Sequence, residues 1–567
     1  MTAERQGQVE QAIFYRKQAV NAVQGLRAGL TRLDKELQRS LLDDKAPVYR
    51  GLADDLIGLG RLAEAEQVMA MLKEEEYFDF VRRDAASDAR RTTLPASAGE
   101  APWAQRYAAI SDRVVALGQE YQSLRAIPAE QRTPEQQARF AAVKADLDVA
   151  RAAFNAYLAD IDQAFKAEGG QRRDAYAAQN LDSLRAQQAT LDRLGAGAVL
   201  VHYLVLPDKL HILVTTPAAQ LHREVKLGAA EINRLVFQYR DILQAPTRDP
   251  LPAAQALYQV LIAPIAADLA QADARTLMLS LDGALRYLPF AALNDGKDYL
   301  VARYGFALYT PAGRGALERA PQASWRIAGL GVSRGAEGWS PLPAVPVELD
   351  EIVRSGPDDQ AGILPGRTLL DDGFSADALA AALEDGPPVV HIASHFNFTS
   401  GTDVDSYLLL GGGAHLTLAD LKAGNYPFGG VDLLTLSACQ TALGGGTAAD
   451  GREVEGFGAL AQNEGAAAVM ATLWSVADGS TGLFMREFYR RRQESHLSKA
   501  GAMREVQLAF LSGELRPDTA PAALRGAMRA ALAGDPGPKV APFVPPPGAP
   551  FAHPFYWAPF LLMGNWL

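Results

Sequence analysis

The single cysteine of the chain, Cys439, follows an apolar run that starts at Val431. A second apolar run starts at Pro388 and ends on His395. Both runs have the length and composition of buried strands. Ligands bind where the carboxyl ends of parallel strands meet, at one edge of an open α/β sheet. An imidazole beside a thiol increases the thiolate fraction, so these two residues predict a Cys–His pair for nucleophilic attack on a carbonyl carbon.

Each member of this pair also has a structural interpretation. A lone buried cysteine usually acts as a small hydrophobic residue. A histidine in a strand is often a core residue whose nitrogens are hydrogen-bonded, and His391, which lies inside its run, is interpreted in this way. The joint placement of Cys439 and His395 at two strand ends favours chemistry for that pair.

The second part of the chain, residues 196–567, has the pattern of an α/β domain with a mainly parallel sheet. Short β-rich runs begin at Ala198, Leu210 and Thr276, and a last strand is predicted near Phe560. Helices are predicted at about 228–244 and 252–270. Strands and helices then alternate, as parallel sheets require.

Residues 1–195 are predicted to be all helical, because Ala, Leu, Glu, Gln and Arg dominate and β-branched residues are scarce. Thr133 and Pro134 form a helix start, and the helix is expected to run to about Glu168. Apolar residues recur along it at helical spacing, which predicts one buried stripe of a long antiparallel helical pair. The stripe consists of Phe140, Val143, Leu147, Ala150, Phe154, Leu158, Ile161 and Phe165.

Residues 46–77 have the spacing of one tetratricopeptide repeat. Such a repeat cannot bury its own apolar face, and residues 8–40 are a degenerate candidate for its neighbour. A partner-binding solenoid and a helical cap on the next domain both remain open. The packing positions are Leu52, Ala53, Leu56, Gly60, Ala65, Met69 and Leu72.

The second part of the chain resembles the CHAT family of caspase-like cysteine peptidases of clan CD. The resemblance covers roughly residues 195–567, and its order along the chain is that of the family. Family members often carry tetratricopeptide repeats upstream, which agrees with residues 46–77. The matching stretches are LDGALRYLPFAAL (281–293), HIASH (391–395), LSACQTA (436–442), GAAAVMATLWSVAD (465–478) and HPFYWAPF (553–560).

The resemblance implies that Cys439 is the nucleophile and His395 the base. In the caspase pattern the histidine lies about 50 residues before the cysteine, close to the spacing here. Backbone N–H groups of Cys439 and Phe396 would form the oxyanion hole. The family usually has glycine where this chain has Phe396, which keeps the N–H but adds a large side chain at the entrance.

Three residues are candidates for the substrate pocket. Asp478 follows a predicted strand and either pairs with a basic P1 side chain or caps the next helix. Trp474 either forms a wall of the cleft or belongs to the core. Ser437 precedes Cys439 by two positions. The glycine-rich loop 444–451 is expected to shape the cleft, and Glu453 and Glu455 after it are interpreted as first-turn acids of a helix.

The predicted function is a cysteine endopeptidase that acts on a protein or peptide substrate. The resemblance further implies latency, with residues 1–195 or a regulatory protein partner as the gate. A non-enzymatic adaptor is the alternative, in which Phe396 marks a degraded site. A serine hydrolase using Ser333 is a weaker alternative, because the Gly-x-Ser-x-Gly elbow needs a helix directly after the serine and loop residues follow here.

Composition sets further expectations. The 567 residues are 48% hydrophobic and carry a net charge of −11, so neither nucleic acid nor an anionic membrane is an expected partner. One cysteine and eight scattered histidines suggest no disulfide, no metal site and no cofactor. Neither a long apolar run nor a signal peptide is recognised, so a cytoplasmic location is expected.

Overall fold

A computed structural model describes most of the chain, and the residues divide into two units. Unit 1 comprises residues 1–72 and 86–186, and unit 2 comprises residues 73–85 and 187–567. The described residues are 3–30, 45–81, 94–97, 99–167, 184–195, 197–336, 338–397, 406–424, 426–437, 451–474, 478–521 and 542–567.

Unit 1 is helical, as predicted. Its helices are α1 (Ala3–Leu30), α2 (Ala46–Gly58), the first part of α3 (Leu62–Val81), α4 (Ala101–Arg125) and α5 (Pro134–Ala167). Helices α4 and α5 form the predicted antiparallel pair, with ion pairs Arg106–Asp160 and Arg139–Glu120 near its two ends. Helix α1 packs on this pair around a small aromatic core. That core contains Phe14, Tyr157 and Ile161, with Trp103, Tyr107 and Phe154 against it.

The helices α2 and α3 form the helix–turn–helix that the repeat pattern predicted. The apolar side chains at its packing positions are buried, and Gly60 adopts a left-handed conformation in the turn. Glycine takes this conformation without strain. Residues 31–44, in the candidate neighbouring repeat, lie outside the described residues, so an array stays a prediction.

Unit 2 is the α/β part. Its helices are the last part of α3 (from residue 73), most of α6 (184–194, from residue 187), α7 (Ala229–Leu243), α8 (Leu251–Leu261), α9 (Ala266–Gln271), α10 (Val345–Ile352), α11 (Ala376–Glu384), α12 (Leu418–Ala423), α13 (Arg452–Asn463), α14 (Asp478–Glu494) and α15 (Lys499–Ser512). Its strands are β1 (Ala198–Val205), β2 (Leu210–Thr215), β3 (Gln220–Val225), β4 (Thr276–Ser280), β5 (Gly305–Leu308), β6 (Ile327–Gly331), β7 (Val353–Arg354), β8 (Leu364–Leu370), β9 (Val389–Ala393), β10 (Phe396–Asn397), β11 (Tyr407–Leu409), β12 (His415–Thr417), β13 (Leu433–Ser437), β14 (Ala468–Thr472) and β15 (Phe560–Gly564).

Twelve strands form one mainly parallel sheet, in the order β3-β2-β1-β4-β5-β15-β14-β13-β9-β6-β8-β7. The six strands from β14 to β7 are all parallel to one another. Strand β15 joins this group to the other half of the sheet, antiparallel to β14 and parallel to β5. The predicted fold class, a helical N-terminal region followed by a mainly parallel α/β domain, is confirmed.

Some local predictions differ from the structure. The single helix expected at 252–270 is broken into α8 and α9, with a short 3-10 turn at Ala263–Ile265 that contains Pro264. Proline has no N–H to donate and its ring clashes with the preceding turn. Strand β9 ends at Ala393, before His395, and a separate sheet of β10, β11 and β12 follows it.

Two glycines allow helix α10 to pack directly on strand β6. A Cβ atom at Gly331 would lie 2.5 Å from Cγ1 of Val345 and 2.9 Å from Cδ1 of Leu349, and one at Gly329 would lie 3.2 Å from Cδ2 of Leu349. Real Cβ atoms do not approach other atoms so closely, so the absence of a side chain brings the helix near the sheet. This packing places Glu348 of α10 within reach of β9 and β13.

Within the described residues, no single helix is long and apolar enough to cross a membrane. Among these residues, one pair of consecutive helices, Leu251–Leu261 and Ala263–Gln271, has the length and apolar composition of a membrane span, and it is bent by 44° at the break between them.

We expect the free energy of unfolding to fall as the pH falls from about 6.5 to about 4, in part because of His553. Its Nε2–H donates to the Arg248 carbonyl (2.9 Å) and its Nδ1 accepts from the Phe555 N–H (3.0 Å). Burial lowers the pKa of His553 from 6.5 to about 4. Between these values the unfolded state binds more protons, and the loss amounts to about 3 kcal/mol at pH 4.

Urea unfolding of the wild type and His553→Asn at pH 7, 6, 5 and 4.5 tests this expectation. The variant should have the flatter pH dependence, although His222, whose pKa is also lowered to about 4 by burial, contributes to both. The exposed His496, replaced by asparagine, is the matched control. Equal slopes for His553→Asn and the wild type would contradict the assignment.

Candidate functional site

Four parallel strands end at the same level of the sheet. The register pairs Ser437 of β13 with Ala393 of β9, Ala393 with Gly331 of β6, and Gly331 with Leu370 of β8. His395 lies two positions after the end of β9. Cys439 lies two positions after the end of β13, but residues 438–450, which include the glycine-rich loop, are outside the described residues.

The imidazole of His395 is buried and fixed in one orientation. Its Nε2 lies 2.7 Å from the carbonyl oxygen of Ser340. A carbonyl only accepts, so Nε2 carries the hydrogen. The ring stacks on Trp339 with 4.6 Å between centroids and 26° between planes. Its Nδ1 has no hydrogen-bond partner among the described residues. In the neutral ring this nitrogen holds the free lone pair, so it can accept a proton.

The loop that carries Trp339 and Ser340 is anchored at its base by Ser333. The Asp371 carboxylate accepts from the Ser333 N–H (2.7 Å) and hydroxyl (2.8 Å) and from the Arg334 N–H (3.2 Å). Burial raises the pKa of Asp371, but these hydrogen bonds outweigh burial and hold the pKa below its usual value. Among the described residues after Ser333, the next helix is α10, which begins only at Val345, so the helix that a nucleophile elbow requires directly after the serine does not follow Ser333.

The segment after β9 is fastened to the small sheet. The Ser394 hydroxyl donates to the Leu409 carbonyl (2.6 Å), and the Leu409 N–H donates to the His395 carbonyl (2.9 Å). Phe396 begins β10, and its side chain is buried in the apolar core of unit 2. The side chain of Phe396 therefore contributes to packing.

A buried polar network lies behind the strand ends, with Glu348 at its centre. One carboxylate oxygen, Oε1, lies 3.0 Å from Nε2 of His391 and accepts from the Ser437 hydroxyl at 2.8 Å. Nδ1 of His391 lies 3.1 Å from the Tyr489 hydroxyl, which lies 2.8 Å from the Thr435 hydroxyl. Burial raises the pKa of Tyr489 well above its usual value. The network ties β9, β13, α10 and α14 together, and His391 takes the structural position expected from the sequence.

We expect Ser437→Ala to lower the free energy of unfolding by about 1–3 kcal/mol and to leave unchanged the KM of any peptide cleavage that the protein performs. The change removes one hydrogen bond to a buried carboxylate, which His391 still contacts. Denaturant unfolding and steady-state kinetics measure the two effects. A raised KM with unaltered stability would instead support the interpretation of Ser437 as a substrate-pocket residue.

The other predicted site residues occupy different surroundings. Trp474 is buried, and its indole N–H donates to the Phe555 carbonyl (3.2 Å). Helix α14 begins at Asp478. Glu455 lies in the first turn of α13, as predicted, and its carboxylate pairs with Lys73 (2.9 Å) and Arg286 (3.4 Å). The structure therefore brings His395 together with Trp339 and Ser340, and places Ser437 in the Glu348 network.

Sequence reasoning missed three residues of this site: Trp339, Ser340 and Glu348. A tryptophan in a loop rich in Gly and Pro, and a glutamate on the apolar side of a short helix, were the available signals. Among the residues that the structure describes, no group of three or more His, Cys, Asp or Glu side chains could hold a metal ion.

Comparison with known proteins identifies the family. A model of the CHAT domain matches residues 251–565, more than half of the chain. The search of curated proteins found no match to this chain. Two crystal structures of the Saccharomyces cerevisiae separase–securin complex are similar at 10% identity, with TM-scores of 0.36 (3.0 Å structure) and 0.33 (2.6 Å structure). The matches cover 92% and 93% of this chain but only 44% and 46% of the other, so the chain spans less than half of the length of those chains. The chain belongs to the CHAT domain family.

Proposed function

We propose that this protein is a cysteine endopeptidase that cleaves a protein substrate through Cys439 and His395. The observation that carries the proposal is the state of the His395 ring. Its Nε2–H is held by the Ser340 carbonyl, and its basic Nδ1 has no partner among the described residues. The paired ends of β9 and β13 support a short distance between the two residues, because each lies two positions beyond a register pair.

The chemistry follows from this orientation. Nδ1 of His395 accepts the thiol proton, and the thiolate of Cys439 attacks the peptide carbonyl carbon. The imidazolium then donates the proton to the leaving amine, which frees the new N-terminus. Water hydrolyses the thioester in a second step. The backbone N–H groups of Cys439 and Phe396 stabilise the oxyanion of both tetrahedral intermediates.

Asp478 is the proposed specificity residue, and the two parts of the chain are proposed to have different roles. Asp478 begins α14 just beyond β14, on the same edge of the sheet as His395. A carboxylate at this place would pair with arginine or lysine at P1, and Trp474 would form part of the pocket wall. Residues 1–195 form the regulatory helical domain and residues 196–567 the peptidase domain, in a cytoplasmic protein that a partner activates.

Because Cys439 is the only cysteine, iodoacetamide labelling reports on this thiol alone. The full chain and its Cys439→Ala and Ser333→Ala variants are incubated with a peptide library varied at P1. We expect cleavage after basic residues by the wild type and none by Cys439→Ala. Ser333→Ala should keep the same P1 preference at a lower rate, because it loses the hydroxyl bond to Asp371 that helps to anchor the loop beside His395. If the wild type cleaves no peptide, and iodoacetamide modifies its Cys439 no faster than a free thiol near pH 7, the protein is a caspase-like adaptor instead.

A further inference from the structure

One face of the His395 ring is covered by the indole of Trp339. The indole of Trp339 lies nearly parallel to the imidazole, 4.6 Å away between centroids. Ser340, the next residue, supplies the carbonyl that holds Nε2–H. Two consecutive residues therefore fix the imidazole: the indole sets the plane of the ring, and the carbonyl sets its rotation within that plane.

These two residues are held by a well-connected loop. A turn joins the Trp339 N–H to the Ala336 carbonyl (2.9 Å), with Gly338 at a φ of 81°. The Leu342 N–H donates to the Ser333 carbonyl (2.9 Å), and Ser333 is anchored to Asp371. The Gly-x-Ser-x-Gly sequence thus builds the base of the loop that presents Trp339 to His395.

The indole of Trp339 also makes a hydrogen bond through its N–H group. Its Nε1–H donates to the Tyr407 hydroxyl (3.3 Å), and the Tyr407 ring stacks on His415 with 3.6 Å between centroids. Tyr407 lies in β11, in the small sheet to which the His395 backbone is bonded. The same small sheet therefore holds both rings of the stack in place.

The face of an indole is rich in electrons and attracts a cation placed over it. A neutral imidazole gains little from this attraction, whereas an imidazolium gains substantially, most of all in a buried place. We infer that Trp339 is a positioning residue for His395 and that its indole stabilises the imidazolium formed when Cys439 loses its proton. This inference rests on the proposed function, because it assumes transfer of that proton to His395.

Other titratable or charged groups lie on the elements around the stack, and each has partners of its own. His391 and Glu348 contact each other, Arg334 pairs with Asp371 and Asp372, and the exposed His415 stacks on Tyr407. Among the described side chains, Trp339 is the only one whose ring stacks on His395.

The test is the pH dependence of Cys439 alkylation by iodoacetamide in the full chain. We expect Trp339→Leu to move the midpoint upward by about 0.5–1.5 pH units, because the thiolate–imidazolium pair loses its aromatic support. Trp339→Phe, which keeps an aromatic face, should retain most of the wild-type behaviour. His415→Asn should leave the midpoint unchanged, because His415 is exposed and contacts Tyr407 rather than Trp339 or His395. Thermal unfolding of each variant checks that it is folded.

The outcomes separate this inference from the proposed function. If His395→Ala raises the midpoint but Trp339→Leu does not, the role of Trp339 is wrong and the dyad stands. If His395→Ala leaves the midpoint unchanged, the dyad itself fails, and the inference fails with it. Should Trp339→Leu not fold, phenylalanine and pentafluorophenylalanine at position 339 provide the comparison. The two rings have similar shapes and opposite charge distributions, so equal midpoints would overturn the inference.

Discussion

Replacing His395 with alanine is expected to lower kcat/KM for peptide cleavage by a factor of about 10²–10⁴, the usual contribution of a general base. The variant keeps Cys439 but loses the Nδ1 atom that accepts the thiol proton. It also leaves a ring-sized space between the Trp339 indole and the Ser340 carbonyl. Added imidazole can enter this space and donate to Ser340, so it should restore part of the lost rate.

The measurement compares kcat/KM at pH 7 for the wild type and His395→Ala, with and without millimolar imidazole. His415→Asn is the matched histidine control, since His415 is exposed and contacts Tyr407 rather than His395. A His395→Ala variant that cleaves at the wild-type rate would show that another group activates the thiol. Loss of rate together with a lower melting temperature would require the rescue by imidazole before a chemical role is assigned.

The second large effect concerns the opposite end of β13. Lys499 and Asp432 are both buried and lie 2.9 Å apart, and the second oxygen of Asp432 accepts from the Trp325 indole N–H (2.9 Å). Burial lowers the pKa of Lys499, and the Asp432 charge opposes this change. We expect Asp432→Ala to lower the free energy of unfolding by about 3–5 kcal/mol, because it leaves a buried ammonium group without a counter-ion.

A double variant distinguishes this ion pair from simple packing. Asp432→Leu combined with Lys499→Met removes both charges, so it should be more stable than Asp432→Ala. Urea unfolding of the single and double variants measures the difference. The exposed pair Arg275–Asp273 is the control, and Arg275→Ala should produce no measurable change. A double variant no more stable than Asp432→Ala would mean that the uncompensated charge is not the source of the loss.

These two predictions assign different roles to the two ends of one strand. Asp432 precedes β13 and affects stability, while Cys439 follows it and is proposed to do chemistry. We therefore expect Asp432→Ala to keep the alkylation behaviour of Cys439 at temperatures where the variant is folded.

Much of the fold was predictable from local pattern. The buried runs before His395 and Cys439 are apolar and β-branched, so they indicated neighbouring strands whose ends could meet. The register of Ala393 and Ser437 agrees with that expectation. The helical region was predictable from composition, because no competing strand pattern occurs there.

The surroundings of His395 were not predictable in the same way. Trp339 and Ser340 reach it from a distant loop, and their placement depends on the bonds between Ser333 and Asp371. Such contacts leave no periodic trace in the sequence. The Ser333 pattern was recognised, but only three-dimensional contacts reveal that it anchors a loop. Likewise, Glu348 contacts His391 only because Gly331 lets α10 approach the sheet.

The position of β15 has a consequence for how the protein is made on the ribosome. Residues 560–564 emerge after the other eleven strands of the large sheet, yet they insert at its middle between β5 and β14. Until then, both neighbouring strands present open edges, which can pair with other nascent chains. The half of the sheet that contains His395 thus becomes joined to the other half only after β15 has been synthesised. This order of synthesis would delay completion of the sheet, so a chain that ends before β15 would leave both halves with open edges.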